Sequence, residues 1–76
     1  MDPVEVLKQA LADAGVPAGG LQFSYSDDTV AYPGGSYQNR QVTVQAGGRK
    51  EQYSADLMLQ NPWITAVEVQ RLIRGG

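Results

Sequence analysis

Eight of the nine glycines in this 76-residue chain fall in pairs, at Gly19-Gly20, Gly34-Gly35, Gly47-Gly48 and Gly75-Gly76. Glycine reaches positive φ without a Cβ penalty, so such pairs mark the places where a chain turns. They divide the sequence into segments whose hydrophobic period changes from one to the next. No repeat or low-complexity tract accompanies them.

The first segment has the form of a helix. Asp2 suits an N-cap, Pro3 the first helical position, and Glu5 the acidic position of a capping box. Val4, Leu7, Leu11 and Ala14 then share one side, with Glu5, Lys8, Gln9 and Asp13 turned largely away. Gly15 is placed to end the helix and Pro17 lies just beyond it, so residues 1–15 are the expected extent.

After Gly19-Gly20 the period is two. Leu21, Phe23 and Tyr25 alternate with Gln22, Ser24 and Ser26, which predicts a half-buried strand. Asp27-Asp28 is expected to interrupt it, as a bulge or as a tight turn into Thr29–Tyr32. Pro33-Gly34-Gly35 predicts a turn of type II, with proline presetting φ and glycine accepting the positive value. Val42, Val44 and Ala46 alternate with Gln41, Thr43 and Gln45, and Gly47-Gly48 joins that run to a second alternating run around Tyr53. Two such runs about a glycine pair form a hairpin. The expected sheet is therefore an antiparallel meander over residues 21–59, of three strands, or four if Asp27-Asp28 is a turn.

The last third reads two ways. Leu57, Met58 and Leu59 fit an extension of the strand or the start of a short helix. Asn61-Pro62 resembles an N-cap and first helical position, and Thr65-Ala66-Val67-Glu68 is a second capping-box match. Ala66, Val69 and Ile73 share a helical side with Trp63 near its edge, yet the β-branched residues from Ile64 to Ile73 also suit a strand. The preferred reading is a helix from Asn61 or Thr65 to Arg74, within 61–74, followed by a tail at 75–76.

Composition narrows the chemistry. The chain has no cysteine and no histidine, which removes disulfides, thiolate metal sites, a cysteine nucleophile and the commonest general base. Lys8 and Lys50 are the lysines that could activate a serine, and neither sits in a Ser-Lys motif. Asp27 and Asp28 are the adjacent carboxylates, and in a strand they point to opposite faces. The glycine pairs lack the spacing of a phosphate-binding loop. These features predict a non-catalytic protein without cofactor or metal. Six basic against eight acidic residues give no basic face for phosphates. No apolar run is long enough to cross a membrane and the acidic start does not read as a signal peptide, so a cytoplasmic location is expected.

Binding is the role left for the surface. Phe23, Tyr25, Tyr32, Tyr37, Tyr53 and Trp63 all lie on or beside the predicted sheet, and Tyr, Ser, Gly, Asn and Gln crowd the stretch from Ser24 to Arg40. That mixture offers amphipathic contact area at low entropy cost, as binding surfaces do. Tyr25, Tyr32, Tyr37, Arg40 and Trp63 are the candidate partner-binding residues. The competing explanation is that tyrosine is a good strand residue and half of these rings pack under the helices.

Two resemblances bear on function. Helix, three antiparallel strands and helix is the order of double-stranded RNA-binding domains, a likeness of topology alone. Those domains start their second helix with lysines, whereas Asn61-Pro62-Trp63-Ile64 stands here, and nucleic acid is not expected as a partner. Arg71-Leu72-Ile73-Arg74-Gly75-Gly76 resembles the ubiquitin tail, a basic, leucine-containing segment ending in Gly-Gly. That resemblance implies a modifier conjugated through Gly76. Ubiquitin-like folds begin with a β-hairpin, and this chain begins with a helix. The leading expectation is thus an α+β interaction module or accessory subunit. Its two helices cover one face of the meander, and it binds a protein partner through an open sheet face or edge strand. Small size makes a homodimer part of the same expectation.

Overall fold

The computed structural model describes residues 2–75. Its elements are α1 (Pro3–Asp13), β1 (Leu21–Tyr32), β2 (Gly35–Ala46), β3 (Arg49–Ser54), α2 (Ala55–Gln60) and α3 (Pro62–Arg74). The strands form one open antiparallel sheet in the order β1-β2-β3, which gives the expected α+β architecture.

Both ends of α1 follow from local chemistry. The Asp2 carboxylate accepts from the Val4 amide at 3.0 Å, while Glu5 faces Lys8 at 3.8 Å. At the other end Gly15 takes φ +72. The Gly15 amide donates to Ala12 and the Val16 amide to Leu11, the paired bonds of a Schellman motif. Val16 is thereby folded back into the core beside Leu7, Ala10 and Leu11. Ala14, expected on the buried side, lies past the last helical residue and is exposed.

Antiparallel register sorts the sheet into two faces. Leu21, Phe23, Val42, Val44 and Tyr53 stand on one face, and Val42 and Val44 are fully buried beneath the helices. Met58 of α2 and Ala66 and Val69 of α3 complete the core. Each fully buried side chain of this size contributes on the order of 1.5–3 kcal/mol. The opposite face carries Gln22, Ser24, Gln41, Thr43, Gln45, Lys50 and Gln52 and stays open.

Three expectations are corrected. Asp27-Asp28 neither bulges nor turns: β1 runs through both, with Asp27 opposite Arg40 and Asp28 opposite Asn39, so the sheet has three strands. The meander ends at Ser54, not at residue 59, because the Ser54 hydroxyl accepts from the Leu57 amide at 3.3 Å and starts α2. Finally, Thr65 is no cap. Pro62 is the first residue of α3, Asn61 caps it without a side-chain bond, and Thr65 is buried inside the helix with Ala66 and Val69.

Candidate functional site: a projecting two-stranded arm

The strands differ in length, and that difference makes the site. β1 and β2 pair over their full twelve residues, whereas β3 covers only Gln41–Ala46 of β2. Beyond that point Asp27–Tyr32 and Gly35–Arg40 continue as a ribbon with no third strand among the described residues. Six residues per strand at about 3.4 Å each extend it by about 20 Å. The arm helps to stretch the protein to 43 Å along its longest axis, against 25 and 17 Å across.

The tip is a loop of Pro33 and Gly34 closed by the pair Tyr32–Gly35. Gly34 takes φ +98, the positive value expected at the second central position of a type II turn. The Tyr32 ring lies across Gly35, and a Cβ there would stand 3.1 Å from the tyrosine hydroxyl, so a side chain at this position would shift the ring. Tyr32 in turn meets Tyr37, their ring centroids 6.2 Å apart and tilted by 41°. Both rings are about half exposed, at 53% and 54%.

The two faces of the arm differ in chemistry. On the face continuous with the helix-covered side, Thr29 donates to the Gln38 side-chain carbonyl. The Gln38 amide donates to Asp27 at 3.1 Å, and Arg40 lies 3.6 Å from Asp27 and 3.6 Å from Asp56 of α2. This chain of polar contacts ties the arm to the helical layer. Exposed pairs of this kind contribute about 0–1 kcal/mol each, so it steers the arm more than it stabilises it. The opposite face carries Asp28 and Asn39 at the base, then Val30, Tyr37 and Tyr32 toward the tip.

The five candidate binding residues therefore do not converge on one surface. Tyr32 and Tyr37 meet at the tip. Tyr25 and Arg40 belong to the other face of the ribbon, at its base. Trp63 is 60% exposed on α3, where it borders a groove of about 360 Å³ with Val6 and Ala10 of α1. Val30, opposite Tyr37, is the site residue that the pattern reading missed. Its place follows from the Pro33-Gly34 loop, since pairing Tyr32 with Gly35 sets Val30 against Tyr37.

At the carboxyl end, Arg71–Arg74 are helical and Gly75 caps α3 with φ +80. The segment resembling the ubiquitin tail is thus largely helix, and Gly76 lies outside the described residues. Asp27 and Asp28 stand on opposite faces, and no group of three or more His, Cys, Asp or Glu comes together among the described residues. No helix among them is long and apolar enough to cross a membrane. Tyr53, beside Glu51 and Glu68, has its phenol raised above the usual 10.0 by burial first and by the two carboxylates second. No protein-family model, curated protein or solved structure matches this chain.

Proposed function

We propose that the chain is a non-catalytic interaction module or accessory subunit of the cytoplasm that grips a protein partner with its arm. The observation that carries this reading is the edge chemistry of the arm. From Thr29 to Asn39 no residue is charged, and both strands there have an outer edge that pairs with no other strand among the described residues. Natural sheets guard such edges with charges, because unpaired backbone donors and acceptors recruit a further strand. Elsewhere charges stand on both edges, Asp27 and Asp28 at the end of the uncharged run Leu21–Ser26 of β1 and Arg49, Lys50 and Glu51 on β3. The unguarded stretch also carries Tyr32 and Tyr37, the residue type that anchors binding surfaces.

A strand added to the arm, with its side chains against the two tyrosines, is the mode of binding this supports. The partner is a different protein or a second copy of this chain. The test is purification of the chain from its own host beside the variant Tyr32→Ala/Tyr37→Ala and the variant Gln38→Pro. A defined partner should be retained by the unaltered chain and lost from both variants. A partner held equally by all three would contradict the reading.

A further inference from the structure

A second binding feature lies away from the arm. Edge strand β3 and the last turns of α3 enclose an open groove of about 470 Å³. β3 lines it with three consecutive residues, Glu51, Gln52 and Tyr53. Side chains of consecutive strand residues point to opposite faces, so three in a row line one groove by way of the strand's backbone edge. The orientation of that edge follows from the hairpin. The Gly47-Gly48 loop closes on the hydrogen-bonded pair Ala46–Arg49, and by alternation Arg49, Glu51 and Tyr53 bond to β2. The N–H and C=O groups of Lys50 and Gln52 then point outward, along the groove.

Charge gives the groove a direction. On the helix side, Arg71 is occupied by Glu68 at 3.4 Å. On the strand side, Arg49 gives one N–H to the Leu72 carbonyl at 3.2 Å, and neither Arg49 nor Glu51 has an ionic partner among the described residues. A strand laid antiparallel to β3 would set three of its side chains, at alternate positions, opposite Tyr53, Glu51 and Arg49 in turn. Cross-strand pairing favours an apolar or aromatic group, a base and an acid at those places.

We propose that this groove is a strand-addition site for an extended segment of a partner protein that carries an aromatic, a basic and an acidic residue, in that order, at alternate positions. The charges that deter indiscriminate pairing with β3 also select which strand is admitted. They disfavour a second copy of β3 itself, since the register that sets Arg49 against Glu51 also sets Lys50 against Lys50. The site is separate from the arm, and the failure of either leaves the other standing.

The test is titration of the whole chain, followed by amide chemical shifts, with the capped peptide Thr-Thr-Tyr-Thr-Lys-Thr-Glu-Thr. A control peptide has its lysine and glutamate exchanged. Shifts should centre on Lys50, Gln52 and the stretch from Glu68 to Leu72, and the control should bind at least about fivefold more weakly. Gln52→Pro removes one outward N–H, which an edge strand tolerates, and should abolish binding with the fold retained. Glu51→Lys should shift the preference toward the control peptide, an outcome that does not depend on the proline variant folding. Equal binding of the two peptides, shifts centred on the arm or on Trp63, or no shift at millimolar peptide would each overturn the proposal. So would movement of the same amides with protein concentration alone, which would make a second copy the occupant.

Discussion

The Arg49 guanidinium donates to the Leu72 carbonyl at 3.2 Å, and so ties the first residue of the edge strand to the last turn of α3. A cation at a helix C-terminus both satisfies an orphan carbonyl and meets the negative end of the helix dipole. Arg49→Met keeps the apolar stem and removes the charge. It should lower stability by about 0.5–1 kcal/mol, read as a fall in denaturation midpoint that shrinks at high salt.

Gly75 is the other half of that contact. It holds φ +80, and a Cβ placed there would come within 2.5–2.9 Å of the Arg49 guanidinium. Gly75→Ala should therefore cost about 1 kcal/mol for the left-handed backbone and should also displace Arg49. Combined with Arg49→Met, its effect should be smaller than the sum of the two single changes. A double-mutant cycle in denaturant checks this.

The core predicts a larger loss. Met58 is fully buried between the sheet and the other helices, and α2 has only Ala55 beside it as a second buried anchor. Met58→Ala should destabilise the protein by about 2–5 kcal/mol. For a domain this small, that is much of the stability available. Calorimetric or chemical denaturation would show it, and a loss under 1 kcal/mol would mean that α2 is not anchored as described.

Tyr53 sets a pH dependence. Its phenol is raised above 10.0 in the folded chain by burial and by Glu51 and Glu68. The unfolded chain therefore releases this proton first as pH rises, and stability should fall above pH 10, through the folded value. The same loss should be absent from Tyr53→Phe, in denaturation curves measured across that range.

Much of this fold can be read from the residues, and the exceptions have physical causes. Asp2, Gly15 and the alternation around Gly47-Gly48 act locally, so α1 and the β2–β3 hairpin follow from sequence. In sequence Asp27-Asp28 reads as a break because two acids sit badly in a half-buried strand. They are tolerated because the ribbon there is solvated on both faces and Arg40 lies beside Asp27. Around Leu57, alternation and a capping serine compete, and the burial of Ala55 and Met58 decides for α2. The β-branched residues of α3 are settled in the same way, by the burial of Thr65, Ala66 and Val69 at helical spacing. The site is less legible. Tyr32 and Tyr37 stand out as residue types, but the arm exists because β3 stops at Ser54. That stop is set by a helix cap in another segment.

The most direct test of the arm as the gripping element is amide hydrogen exchange, measured on the chain alone and in complex with the partner it retains. A two-stranded ribbon is marginal by itself, so the arm amides should exchange quickly in the free chain. Binding should slow the amides of Ser36 and Gln38, which face outward from β2, and leave α1 unchanged. Protection that appears instead around Trp63 and Val67, with the arm as fast as before, would contradict the account.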